Sequence, residues 1–145
     1  MKISTKGRYA LRLMLDIALN SGGKAVSLRD VARRQEISDK YLEQIVTPLS
    51  RAGLVRSVRG AGGGYLLTRE PKDYTVGEIL RPLEGDLAPV ECVSPGGCCE
   101  RASRCVTMEV WAQIEAAVSS VVDHITLGDL VERAASKCGP DPSAP

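Results

Sequence analysis

SDKYLEQIVTPLSRAGLVRSVRGAGGGYLL, residues 38–67, is the stretch whose reading decides the fold. Ser38 followed by Asp39 is a helix start: a hydroxyl able to accept from the first free N–H groups, then a carboxylate suited to the positive end of the helix dipole. Leu42, Ile45, Val46 and Leu49 recur at helical spacing, so they face a core and leave Ser38, Lys40, Tyr41, Glu43 and Gln44 on the other side. Pro48 removes one backbone hydrogen bond, which predicts a kinked helix running to about Ala52. Gly53–Arg59 and Tyr65–Arg69 then read as two strands joined by the glycine-rich tip Gly60–Gly64. A dinucleotide-binding loop fits poorly, because Tyr65 stands where G-x-G-x-x-G needs its last glycine and no helix follows.

Working upstream, Ser27 precedes Asp30 by three residues and opens a second helix over Leu28–Gln35. Glu36 sits where a tight turn prefers glycine, so a left-handed Glu36 is expected to carry a strain of about 1 kcal/mol. Two helices joined by a tight turn, followed by a hairpin, form a winged helix-turn-helix. In that arrangement the second helix enters the major groove. Gln44 suits adenine, Glu43 suits cytosine N4, and Ser38, Lys40 and Tyr41 can reach bases or phosphates. Arg59 can enter the minor groove and Arg56 can meet phosphate, while Gly60 and Gly62 let the backbone approach closely. A plain hairpin and solvated polar residues are the alternatives that charge must decide against.

Charge favours a polyanion. Residues 1–72 carry fourteen Lys and Arg against six Asp and Glu, and residues 73–145 carry five against twelve. The net +1 therefore hides a basic half and an acidic half. The first helix, Lys6–Asn20, presents Tyr9, Ala10, Leu13, Met14, Ile17 and Ala18 as an apolar face and stops at Ser21-Gly22-Gly23. Arg8 and Arg12 lie one turn apart on it, placed to hold a phosphate or to stand solvated.

Downstream, Thr75–Leu83 is a capped helix ended by Gly85. Cys92, Cys98, Cys99 and Cys105 follow within fourteen residues. Without an apolar leader or an eighteen-residue apolar run, the chain is expected to be cytoplasmic, where clustered thiols bind metal or do redox work. Trp111, Ile114, Val118, Val121 and Ile125 then alternate in steps of three and four on a helix from Val106 to Ile125. That seam is long for a small domain to cover and predicts pairing of two copies, with packing across its own domain as the alternative. His124, the only histidine, suits a helix C-terminus better than a metal. Thr126 caps a last helix to about Ala135; residues beyond Cys138 are expected to be disordered, and Cys138 to be a free thiol. The expected organisation is a mainly α chain with a small β wing: reader 1–84, cysteine loop 85–105, dimerisation and terminal helices 106–135, and tail 136–145.

These motifs together resemble the IscR-like winged-helix regulators, a bacterial family that also includes NsrR and CymR. The likeness covers about residues 1–133 and rests on STKGRYA (4–10), SDKYLEQ (38–44), AGLVRSVRGAGGGYLL (52–67), the cysteine loop and ITLGDL (125–130). It implies a homodimeric transcription factor on double-stranded DNA, with Ser38, Tyr41, Glu43, Gln44 and Arg59 at the DNA. It also implies an iron-sulfur cluster, 2Fe–2S in preference to 4Fe–4S, held by Cys92, Cys105 and one of Cys98 or Cys99. Two departures concern the fourth ligand. Cys105-Val-Thr-Met108 replaces the Cys-Leu-Thr-His of IscR-type proteins, and Arg8 replaces the carboxylate of the NsrR type. The spare cysteine, Glu109, His124, solvent or a small thiol can fill that position. A thiol, disulfide or zinc switch without a cluster is the second reading, although no Cys-x-x-Cys is present. A cluster carrier is the third. An enzyme is not expected, because one histidine makes a nucleophile–base–orienter set hard to build.

Overall fold

The computed structural model describes residues 2–137. Six helices and one two-stranded sheet follow in the order α1 (Thr5–Asn20), α2 (Leu28–Gln35), α3 (Asp39–Arg51), β1 (Val55–Val58), β2 (Gly64–Leu67), α4 (Val76–Glu84), α5 (Val106–Val122) and α6 (Leu127–Lys137). The chain is mainly α with a small β wing, as its sequence implies. Of the tail expected over 136–145, Ser136 and Lys137 form the end of α6 instead; Cys138, expected to be a free thiol, and residues 139–145 lie outside the described residues.

The helix starts follow their capping residues. Ser4, Ser27 and Ser38 each accept from the backbone N–H three residues on, those of Gly7, Asp30 and Tyr41. Thr75 and Glu78 form a reciprocal capping box, and Thr126 and Asp129 exchange the same pair of bonds. Glu36 ends α2 at φ 56°, ψ 45°, so the turn is left-handed at a residue that is not glycine. Helix α3 runs through Pro48 and closes at Arg51, where the Ala52 N–H returns to the Pro48 carbonyl.

Leu13, Met14 and Ile17 of α1 pack against Leu42, Ile45 and Leu49 of α3 and Ile79 of α4 in one buried cluster. The chain has no phenylalanine, and its largest fully buried side chain is Tyr74. The Tyr74 hydroxyl donates to the Leu54 carbonyl (2.8 Å) and accepts from the N–H groups of Thr68 (2.8 Å) and Arg69 (2.9 Å). One buried phenol thereby ties both roots of the hairpin to the core.

Element boundaries differ from the expectation at the hairpin and at the end of α5. The strands are shorter, because pairing spans only Val55↔Leu67 to Val58↔Gly64. Gly64 belongs to β2 rather than to the tip, and a Cβ there would strike the backbone of Val26, whose N–H and C=O both bond Tyr65. Helix α5 stops at Val122, not Ile125. The chain is drawn off there by bonds from the Val76 N–H to the Ile125 carbonyl and from the Leu127 N–H to the Tyr74 carbonyl, both 2.9 Å.

Candidate nucleic-acid interface and cysteine loop

Helix α3 separates its residues as the spacing requires. Leu42, Ile45, Val46 and Leu49 are buried; Ser38, Lys40, Glu43 and Gln44 are exposed; Tyr41 is half-buried at the edge of the exposed face. The hairpin stands beside it, with Arg56 and Arg59 exposed. At the tip Gly60 (φ 96°) and Gly62 (φ 74°) take conformations that L side chains resist, and the Gly63 N–H closes the turn onto the Gly60 carbonyl at 3.0 Å. The tip carries no side chain larger than that of Ala61 between Arg59 and Tyr65, so backbone can approach a groove there.

Support for this face comes from residues that periodicity does not single out. Asp16, on the buried side of α1, takes two contacts from Arg34 Nε and one from Arg34 Nη2 (2.7–3.2 Å), and a fourth from Gln35 Nε2 (2.9 Å). The hydrogen bond to Asp16 is the main cause that raises the Arg34 guanidinium pKa above its ordinary value. Arg12 bonds the Gln35 side chain (3.0 Å) and backbone carbonyl (2.7 Å), while Arg8 reaches only Thr5. The two arginines, placed to hold a phosphate or to stand solvated, are thus divided: Arg12 is committed within the fold and Arg8 is exposed to solvent. A polar residue in an otherwise apolar helical face, here Asp16 between Leu15 and Ile17, was the available signal.

The cysteine loop leaves α4 at Gly85 (φ 74°) and enters α5 at Cys105. Cys92 lies in a short 3-10 turn, Glu91–Val93, and a second turn is closed by the Ala102 N–H on the Cys99 carbonyl (3.1 Å). Cys92, Cys99 and Cys105 are half-buried and Cys98 is exposed; all four are free thiols. Cys105 is the N-cap of α5. Its thiol pKa lies below the ordinary value, chiefly through the Thr107 hydroxyl at 3.2 Å and then the Met108 N–H. Among the described residues no three His, Cys, Asp or Glu side chains converge into a metal-holding group.

Helix α5 has one buried residue, Val122, and leaves Val106, Val110 and Val121 exposed. Ile114, Val118 and Val121 line an open apolar groove of about 600 Å³ whose other wall is Ile3, Leu80 and Leu87. Trp111 is half-buried on the same helix, and Ile125, expected on the seam, sits beyond the helix end against Val76, Leu80 and Val122. The Arg81 guanidinium holds Asp123 with two bonds (2.7 and 2.9 Å) and pins the C-terminal end of α5 to α4.

Comparison with known proteins identifies this combination. The family model Rrf2, described as an iron-dependent transcriptional regulator, matches residues 3–133. The chain belongs to the Rrf2 family. It is 48% identical over 130 residues to the HTH-type transcriptional regulator CymR of Bacillus subtilis, covering 90% of this chain and 89% of that one. Among solved structures it resembles T. potens IscR with a TM-score of 0.80 at 40% identity, covering 97% of this chain and 93% of that one. It resembles the structure of CymR, titled the global cysteine regulator of B. subtilis, with a TM-score of 0.77 at 46% identity, covering 92% and 98%. The Rrf2 chain is accordingly a DNA-binding transcriptional regulator and not an enzyme. No helix among its described residues is long and apolar enough to cross a membrane.

Proposed function

We propose that this Rrf2-family regulator is a cytoplasmic homodimer that reads double-stranded DNA with α3 and the wing, and reports iron-sulfur or redox status through the loop Cys92–Cys105. The observation that carries the sensing role is the placement of four free thiols on one loop strung between α4 and α5. Every signal that reshapes that loop acts directly on both helices.

For DNA, Glu43 and Gln44 are assigned to base edges, Ser38, Lys40 and Tyr41 to bases or phosphates, Arg56 to phosphate, and Arg59 with Gly60 and Gly62 to the minor groove. Pairing through Trp111, Ile114, Val118 and Val121, with Ile125 at its end, sets two α3 helices for half-sites about one DNA turn apart. For the cluster, the donor set fits: soft thiolates are the usual ligands of iron-sulfur groups, and Cys105 starts from a thiol already biased toward deprotonation. Cys92, Cys99 and Cys105 are assigned as ligands, with Cys98 left out because it alone of the four is exposed, and 2Fe–2S is assigned in preference to 4Fe–4S. The group would supply an oxidation state or a loss that the loop converts into shape.

The test is anaerobic purification with iron and sulfide quantification, beside binding to duplexes selected by the protein from random sequence. Charge-transfer absorbance with iron and sulfide, and a salt-dependent preference for the selected duplex, are the expected results. Protein without iron after reconstitution overturns the cluster, and equal affinity for selected and scrambled duplexes overturns the assignment of α3.

A second reading, a thiol or disulfide switch without a cluster, is favoured by the adjacent free thiols Cys98 and Cys99 and by Met108 in place of a fourth ligand. Thiol counting before and after peroxide, together with metal analysis for iron and zinc, separates it from the first.

A further inference from the structure

Of Ser38, Lys40, Tyr41, Glu43 and Gln44, only Tyr41 is half-buried, and the group that meets its ring comes from α1. The Tyr9 and Tyr41 rings stand edge to face, with centroids 5.8 Å apart and planes at 87°. The Arg12 guanidinium lies 5.1 Å from the Tyr9 centroid and at the same time holds both the side chain and the backbone carbonyl of Gln35, the last residue of α2. Gln35 in turn donates to Asp16, which is only 2% exposed. A continuous set of contacts thus runs from a buried carboxylate to the ring at the edge of the recognition face. It reaches α2 one residue before the left-handed Glu36 and α3 three residues after its cap Ser38, so both sides of the helix-turn-helix turn are referenced to α1.

We infer that Tyr9 and Arg12 are positioning residues for sequence reading. Arg12 fixes the end of α2, Tyr9 braces the ring of Tyr41, and α3 meets DNA with its reading side chains already set. This rests on the assignment of α3 as the reading helix. The physical advantage is preorganisation: a ring and a helix end held before binding lose less freedom when the duplex docks. An arginine that served mainly as a phosphate contact would keep its donors toward solvent, whereas Arg12 spends Nε and Nη2 on Gln35.

The experiment uses the full chain and two duplexes, one selected by the parent protein from random sequence and one scrambled, with affinities measured over a range of salt. Tyr9→Leu and Arg12→Lys are each expected to weaken the selected duplex about tenfold, the scale of one lost aromatic or charge-assisted contact, while leaving the scrambled-duplex affinity and the salt slope at parental values. Tyr9→Phe restores what Tyr9→Leu loses, because the edge-on contact needs the ring and not the hydroxyl. Tyr9→Leu added to Tyr41→Ala costs nothing further. Equal losses on both duplexes with a shallower salt slope mean a phosphate contact and overturn the inference, as does parental selectivity in Arg12→Lys. Arg12→Lys retains the charge on an exposed residue, so it decides the matter if Tyr9→Leu does not fold. A parent protein that shows no preference between the two duplexes refutes the reading of α3 itself; a selective parent with equally selective variants refutes the positioning role alone.

Discussion

Glu84, the last residue of α4, accepts hydrogen bonds from both the backbone N–H (3.0 Å) and the hydroxyl of Ser4, the residue that caps α1. The cysteine loop begins at the next residue, Gly85. The start of the cysteine loop and the start of the helix that carries Arg12 and Tyr9 are therefore joined by one carboxylate.

This clasp predicts a reversal of sign at Gly7. A Cβ at Gly7 would collide with the Glu84 carboxylate. Gly7→Ala should push Glu84 off Ser4 and lower stability by about 1 kcal/mol, the scale of a lost cap and its charge-assisted bonds. In a Glu84→Ala background the collision is gone and only the helix-propensity gain remains, so the same Gly7→Ala change should stabilise by roughly 0.5 kcal/mol. Urea unfolding of the four proteins closes the cycle. Additive effects would show that Glu84 moves aside freely and that the clasp is not a constraint.

Asp123 predicts an acid-side dependence. Its pKa is held below the ordinary 3.8, first by hydrogen bonding to Arg81, whose guanidinium is itself raised above its ordinary value by the same contact. A carboxylate with a depressed folded pKa contributes stability that is present above its unfolded pKa and lost as pH falls through the folded one. The Arg81 shift lies above the range where the protein is handled and adds no alkaline step. Both side chains are over a third exposed, so the pair is worth about 0.5–1 kcal/mol. Asp123→Asn should lower stability by that amount at neutral pH, and the difference from the parent should vanish as pH drops below 3.8. Thermal unfolding of both proteins across that range measures it; a difference that persists undiminished in acid would show that packing, not charge, is what Asp123 supplies.

The exposed face of α3 was legible in the sequence because its determinants are local. Ser27, Ser38 and Thr75 cap helices through bonds that span three residues, and Leu42, Ile45 and Leu49 repeat at the helical period. The turn at Glu36 was also legible, and the structure gives that residue its left-handed conformation. The ties between elements were not legible. Ser4 and Glu84 are 80 positions apart, and Arg81 and Asp123 are 42 apart. Ser, Glu, Arg and Asp all look like solvated surface residues until the fold sets them against each other. Asp16 escaped for the converse reason, because its burial is made tolerable by Arg34 and Gln35 on another helix. The end of α5 shifted because a bridge between Thr75 and Thr126 outweighs helical spacing at Ile125.

Met108 makes the proposed cluster more labile than one held by four strong ligands. It stands in the first turn of α5, three residues after Cys105, where a thioether offers iron little. Met108→His should lengthen the lifetime of the visible absorbance in air severalfold, and Cys98→Ser should leave iron content at the parental level while Cys99→Ser abolishes it. Iron retained in Cys99→Ser and lost in Cys98→Ser would exchange the two assignments, and a Met108→His lifetime equal to the parent's would place the fourth ligand elsewhere.

Pairing of two copies turns on how little α5 buries by itself. Val121 is 52% exposed and Val110 49%, yet both belong to a helix whose apolar residues outnumber its charged ones. The groove between α5, Leu80 and Ile3 adds an open apolar surface beside them. Replacing Val121 by Asp puts a carboxylate into that surface at a position already open to solvent, so the folded monomer tolerates it while a second copy does not. Sedimentation should move Val121→Asp from dimer to monomer, with helical content unchanged by circular dichroism. Affinity for a two-half-site duplex should fall by at least tenfold, and affinity for a single half-site should stay where it was. A parental dimer in Val121→Asp would show that the two copies meet through another face.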